Sequence, residues 1–142
     1  MTAKLGTEDR DVNAKGFDTL PPARILEVLA AAQVSAARSV EAAIPAIAQA
    51  SERAAAALMA GHRLVYIGAG SSGLMALADC LELPGTYGIG LNEAIVVLAG
   101  GRDSLVDMLG TGEDDVDAGA ADLAATGIGP GDCVIAVSAS GS

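Results

Sequence analysis

Residues 64 to 73 read Leu-Val-Tyr-Ile-Gly-Ala-Gly-Ser-Ser-Gly, an apolar β-type run ending in a glycine-rich turn with two consecutive hydroxyls. A turn of this kind, leading into a helix, is suited to cradle a phosphate. Glycine lets the backbone approach an anion closely, and a helix N-terminus offers unpaired N–H groups with a favourable dipole. By spacing, Gly68, Gly70 and Gly73 also satisfy the dinucleotide fingerprint G-x-G-x-x-G. That fingerprint wants an acid closing the second strand, about 20 residues on, to hold a ribose. The only candidate is Asp103, displaced behind Gly100-Gly101-Arg102. Paired hydroxyls suit a terminal phosphate monoester, which has more acceptor oxygens to satisfy than a bridging pyrophosphate. A phosphosugar therefore ranks ahead of a dinucleotide, and a ligand-free glycine turn is the plain structural alternative.

Three further groups have residue types that do chemistry. Glu82 is expected in the last turn of a helix beginning at Gly73, because Pro84 disfavours helical geometry at Leu83. The macrodipole disfavours a carboxylate there, which suits a general acid, although a surface glutamate at a helix end is the simpler reading. A helix of about ten residues spans about 15 Å, so Glu82 lies far from a phosphate at the helix start. Either the helix is shorter or Glu82 serves a site shared with another subunit. Glu113, in Thr111-Gly112-Glu113-Asp114-Asp115, reads locally as a capped helix start with acids complementing the dipole. Ser138, Ser140 and Ser142, with Gly141, close a third apolar run. In an open α/β sheet ligands bind outside the carboxyl ends of the strands, so this turn and Ser71-Ser72 are expected on one edge. His62, before the first strand at the opposite edge, reads as structural.

The elements that must position these groups follow from periodicity. Residues 1–20 form an irregular arm, interrupted by Gly6, Asn13 and Gly16. From Pro21, Ile25, Leu29, Ala32, Ala36 and Val40 recur at helical intervals. Pro45 opens a second helix, with Ile47, Ala50, Ala54 and Leu58 on one face and Gly61 as its stop. Three short apolar runs follow, Arg63–Ile67, Ala94–Ala99 and Cys133–Val137, separated by the helix-like stretches 73–82 and 103–125, the second broken by Gly110-Thr111-Gly112. Runs of this kind suit strands buried on both faces of a parallel sheet, in a doubly wound α/β layer with right-handed crossovers. Three strands make a small sheet, and residues 21–142 are expected to be a domain truncated on its C-terminal side or completed by a partner chain.

Composition narrows the partners. The 142 residues are 51% hydrophobic, yet only Phe17, Tyr66 and Tyr87 are aromatic, so the core must be aliphatic and alanine-rich. A net charge of -10 argues against nucleic acid. Any anion site must be local and built from backbone N–H groups. Cys80 and Cys133 lack metal spacing and read as buried thiols. No apolar run approaches a membrane span and the first residues carry no signal-type segment, so a cytoplasmic enzyme is expected.

The ordered set Gly68-Ala69-Gly70-Ser71-Ser72-Gly73, Asp79, Glu82, Pro84, Thr86-Tyr87-Gly88, Ala99-Gly100-Gly101, Gly112-Glu113-Asp114 and Ala139-Ser140-Gly141 resembles the N-acetylmuramic acid 6-phosphate etherases of the sugar isomerase (SIS) domain superfamily. Thr7-Glu8-x-Arg10 resembles the family's opening segment, so the likeness runs through nearly the whole chain. It implies a three-layer αβα sandwich with a parallel sheet, a homodimer and no metal or nucleotide cofactor. The implied reaction cleaves the D-lactyl ether of N-acetylmuramic acid 6-phosphate during cell-wall recycling. By family position Glu82 is the acid and Glu113 the second acid/base, while Gly70, Ser71, Ser72, Gly73, Ser140 and Gly141 hold the phosphate or neighbouring hydroxyls. The chain departs from the family at Leu74 and Ser142, where arginines are usual, at Leu83, usually cysteine, and at Gly85, usually proline. A non-catalytic phosphosugar regulator, another SIS-type isomerase and, further off, an NAD-binding oxidoreductase are the rival readings.

Overall fold

The computed structural model describes residues 10–106 and 114–141. The chain divides into two compact units, one up to Ser51 and one from Glu52 onward. In the first, short 3-10 turns at Val12–Ala14 and Phe17–Thr19 precede helix α1, Pro22–Ser39, and a 3-10 turn at Val40–Ala43 leads into α2, Ile44–Met59, whose residues from Glu52 belong to the second unit. Asp11 caps the first turn by accepting the Asn13 N–H at 2.8 Å. Pro22 sits in the first turn of α1, where its missing N–H leaves no helical carbonyl short of a donor. Pro45 is the second residue of α2, one place later than its role as helix opener requires, and is tolerated there for the same reason. Gly61, at φ 78°, follows the end of α2.

The second unit is α/β. Strands β1 (Leu64–Gly68), β2 (Ala94–Leu98) and β3 (Cys133–Val137) form one parallel sheet in the order β2-β1-β3. Helix α3, Gly70–Tyr87, connects β1 to β2, and α4, Val116–Ala125, lies between β2 and β3. From β1 the chain steps to one side, then crosses back over β1 to reach β3. Right-handed crossovers in opposite directions put α3 and α4 on opposite faces, giving helix, sheet and helix layers. One face of the sheet presents Leu64, Tyr66 and Ala94 to Ala76 and Cys80 of α3, with Leu58 of α2 and Leu83 packed alongside. The central strand is the most deeply buried, and Val65 is wholly enclosed. The expected aliphatic core is thus present, with Tyr66 its one aromatic member.

The helix after β1 departs from expectation at both ends. It starts at Gly70, not Gly73, and runs through Pro84 to Tyr87, not to Glu82. At its start, Gly70 adopts φ 49°, which turns the chain from strand into helix and places both serines in the first turn. At its end, Pro84 deprives the Cys80 carbonyl of a helical donor. The final turn survives because Leu83 packs against the core and the Gly88 N–H caps the Pro84 carbonyl at 3.1 Å. Of the stretch 103–125, the described residues form a 3-10 turn at Arg102–Leu105 and α4, capped by Asp115 accepting the Ala118 N–H at 2.9 Å, while the expected break at Gly110-Thr111-Gly112 lies outside the described residues.

Two contacts fix the frame. A Cβ built on Gly68 would lie 2.9 Å from both the Cα and the N of Gly73, and one on Gly73 would lie 3.0 Å from the Gly68 carbonyl oxygen and from Leu98 Cδ2. At the amino edge, the Arg63 N–H donates to Asp132 Oδ1 at 2.9 Å and its guanidinium to Oδ2 at 2.8 Å. The guanidinium also donates to the Thr126 and Gly127 carbonyls at 3.0 and 2.9 Å, and Gly129 N–H reaches Asp132 at 3.1 Å. These bonds join the starts of β1 and β3 to the end of α4. Hydrogen bonds from Arg63 and Gly129 hold the Asp132 carboxyl well below the usual carboxylate range.

Three substitutions test this frame. Gly68→Ala forces a methyl group against fixed backbone and is expected to destabilise by about 1–3 kcal/mol. Gly85→Ala, inside α3 with open space around it, is expected to stabilise by about 0.5–1 kcal/mol. Urea midpoints of the two variants should move in opposite directions. Because the Asp132 carboxyl is depressed on folding, its contribution is complete above the ordinary aspartate value of about 4 and declines as pH falls below it. Asp132→Asn should therefore lower stability at pH 7 and flatten its fall between about pH 4 and pH 2, read from urea unfolding across that range.

Candidate functional site

The strand order places a topological switch point between β1 and β3, because the chain leaves β1 toward β2 and returns to the far side. In open α/β sheets the crevice outside the carboxyl ends at such a point is where ligands bind. Gly68 is in register with Leu98 on one side and Val137 on the other, so the turns after all three strands share one edge. The turn after β1 lies in the middle.

There the first helical bond runs from the Gly73 N–H to the Ala69 carbonyl at 2.9 Å. Ala69 is extended and has no side chain able to cap. The N–H groups of Gly70, Ser71 and Ser72 therefore precede the first helical donor, the Gly73 N–H, at the positive end of an 18-residue helix. The Ser71 side chain is exposed and that of Ser72 half-buried. Three orphan donors, two hydroxyls and a helix dipole are the chemical complement of a tetrahedral oxyanion. The three glycines divide the work differently from the fingerprint reading. Gly68 and Gly73 allow strand and helix backbones to touch, and only Gly70 serves the turn itself.

Across the switch point, the Gly141 N–H donates to Ser138 Oγ at 2.8 Å, folding the turn after β3 upon itself. Ser140 is half-buried and Gly141 exposed, with φ 74°. The structure thus brings Gly70, Ser71, Ser72 and Gly73 to the same sheet edge as Ser140 and Gly141. Glu113 and Ser142 lie outside the described residues, as do Thr7 and Glu8. Asp103 is exposed in the 3-10 turn beyond Gly101, set off from the end of β2.

Glu82 is placed apart from this edge. It is exposed on α3, and Thr86 Oγ1 donates to its carboxylate at 3.3 Å. Because the helix continues to Tyr87, Glu82 is not in the last turn and the expected dipole effect on it does not apply. Twelve residues separate it from Gly70, about 18 Å along the axis. The longer helix widens the separation that sequence reasoning had already found too great for a small sugar.

Two side chains that the sequence reading passed over shape the surroundings. The Tyr66 hydroxyl donates to Asp79 Oδ2 at 2.6 Å, tying the middle of α3 to the central strand. Burial, and then the Asp79 carboxylate, push the Tyr66 phenol above its ordinary range. The lone aromatic in an aliphatic strand was the signal for this pair. Burial also raises the Cys80 thiol, with the Asp79 charge adding to it, so Cys80 is a core residue and not a nucleophile. Among the described residues no group of His, Cys, Asp and Glu is arranged to hold a metal ion. No described helix is long and apolar enough to cross a membrane.

No protein-family model matches the chain. Individual relatives do, from end to end. The chain is 39% identical over 142 residues to an N-acetylmuramic acid 6-phosphate etherase of Deinococcus radiodurans, covering all of this chain and 47% of the relative. It is 34% identical over 139 residues to the protein of that name in Klebsiella aerogenes, covering 98% and 46%. For the Rubrobacter xylanophilus protein of the same name the identity is 33% over 144 residues, covering 99% and 48%. The chain spans about half the length of the curated relatives it matches.

Inorganic phosphate is the simplest probe of the anion cradle. Its affinity, followed by calorimetry, should fall about tenfold in the Ser71→Ala, Ser72→Ala double variant, each lost hydroxyl bond contributing about 0.5–1.5 kcal/mol. An unchanged affinity would remove the serines from the site.

Proposed function

The chain belongs to the family of the N-acetylmuramic acid 6-phosphate etherases, and from that membership we propose that it carries the phosphosugar-anchoring part of a carbon–oxygen lyase. The substrate is N-acetylmuramic acid 6-phosphate and the products are N-acetylglucosamine 6-phosphate and D-lactate, a step of peptidoglycan recycling. The observation that supports this reading is the uncapped start of α3, with Ser71 and Ser72 in its first turn, at the switch point of a parallel sheet.

The 6-phosphate lies on the N–H groups of Gly70 to Ser72 and accepts the two serine hydroxyls, with Ser140 and Gly141 on the β3 side. In the open-chain sugar the aldehyde acidifies the proton at C2. A base takes that proton, the C3–O bond breaks with its electron pair leaving on the lactate oxygen, and an acid protonates that oxygen. Water then adds across the C2–C3 double bond, its hydroxyl to C3 and a proton to C2. Glu82 serves as the acid that protonates lactate, and Glu113 as the partner that moves the C2 proton.

The separation of Glu82 from the anchor has a consequence for assembly. About 18 Å along a rigid helix is more than one sugar phosphate spans. Glu82 therefore acts on a substrate anchored by a second copy of the protein, in a homodimer. The exposure of Leu81, Tyr87 and Leu91 around the C-terminal half of α3 agrees with a covered surface in the assembly.

That same separation favours one alternative, a phosphosugar-binding regulator without catalysis. Glu82→Gln in the full-length gene product separates the two. As an etherase it should release D-lactate at least about a hundredfold more slowly than wild type, with binding of N-acetylglucosamine 6-phosphate unchanged. A wild-type protein that binds the sugar phosphate and releases no D-lactate is a regulator.

A further inference from the structure

Between Leu64 and Ser142 the sequence contains a single lysine or arginine, Arg102, among a large surplus of Asp and Glu. Arg63, the nearest preceding cation, is committed at the amino edge of the sheet to Asp132 and the carbonyls of Thr126 and Gly127. Arg102 instead opens the 3-10 turn that follows β2 and the Gly100–Gly101 reversal, at the carboxyl edge. It is exposed, and its guanidinium forms no ion pair with a described residue.

Position gives this lone charge a use. Neighbouring strands lie about 5 Å apart, so the turn after β2 flanks the start of α3 on one side as the Ser138–Gly141 turn flanks it on the other. An anion approaching this edge is repelled by the acidic surroundings and attracted by the backbone donors of α3 and by the guanidinium of Arg102. Arg102 also lines, with Leu77, Leu81 and Leu105, a cleft of about 510 Å³ beside β2. A guanidinium at the margin of an apolar cleft recognises a carboxylate carried on a short alkyl group, through paired N–H···O bonds.

We infer that Arg102 is a specificity-determining residue that binds the carboxylate of the lactyl substituent, while the turn after β1 holds the phosphate. This rests on the phosphosugar reading above. It divides recognition of a doubly anionic substrate between the turns after two adjacent strands. The lactyl group is then distinguished from a bare hydroxyl by one ion pair, and the product lacking it is held by its phosphate alone.

The test compares two sugars that differ only in the lactyl group, using full-length wild type, Arg102→Ala and Arg102→Lys. In Arg102→Ala the KM for N-acetylmuramic acid 6-phosphate should rise about 10- to 100-fold. The inhibition constant of N-acetylglucosamine 6-phosphate and kcat should stay near wild type, and Arg102→Lys should restore part of the loss. Equal weakening of both sugars would show that Arg102 acts on the phosphate or through the general field and would overturn the proposal, as would an unchanged KM. A wild type that binds neither sugar overturns the phosphosugar reading and this inference with it. If wild type binds both sugars and cleaves neither, the etherase reading alone falls. The ratio of the two dissociation constants, altered in Arg102→Ala or not, then decides on Arg102.

Discussion

The α/β unit depends on a backbone contact that no side chain could make. Gly68, the last residue of β1, and Gly73, in the first turn of α3, approach so closely that a Cβ on either would meet the other's main chain within 3.0 Å. This contact seats α3 against the central strand and sets the direction in which its first N–H groups emerge. It also lets Leu98 of β2 press on the same turn, so the neighbouring strand is positioned by it as well. The core of Leu64, Tyr66, Ala76, Cys80 and Ala94 follows from that seating. So does the Tyr66–Asp79 hydrogen bond, which holds the helix at its middle.

The sheet keeps its two edges distinct. At the amino edge, Arg63 and Asp132 satisfy one another and the loop after α4, so a charged pair lies next to an apolar sheet with its hydrogen bonds filled. At the carboxyl edge the main-chain donors at the start of α3 precede the first helical bond, and the turns after β2 and β3 bring a cation and hydroxyls alongside. The amino edge is closed by its own residues, whereas at the carboxyl edge the first helical bond of α3 begins only at the Gly73 N–H.

Much of this was legible in the sequence because the signals were local. The three strands fall within a residue of their apolar runs, and β3 coincides with its run, since short apolar segments bounded by glycine have few other ways to be buried. The bounds of α3 were not legible. Pro84 is a strong local reason to end a helix, yet the core contact of Leu83 and the Gly88 cap outweigh one lost backbone bond. The serines looked like loop residues and are helical, because the left-handed turn at Gly70 begins the helix three residues early. Arg63 opens one run and Asp132 directly precedes another, and the two runs turn out to be paired. Without the pairing of Leu64 with Cys133, nothing marks them as partners.

The sequence alone determined the class of the fold, the family, and the glycine- and serine-rich turn after the first strand. Each of these is written in residue types at short spacing, where glycine, hydroxyl and apolar periodicity act through local geometry. Tertiary structure decided the strand order β2-β1-β3, and with it which turns meet at the switch point. It also decided that Glu82 lies far along a helix longer than its proline suggests, and that Arg102 opens the turn after β2 while Arg63 is committed to Asp132 at the amino edge. These outcomes depend on contacts between residues distant in the chain, whose energies outweigh local preference and leave no periodic trace in the sequence.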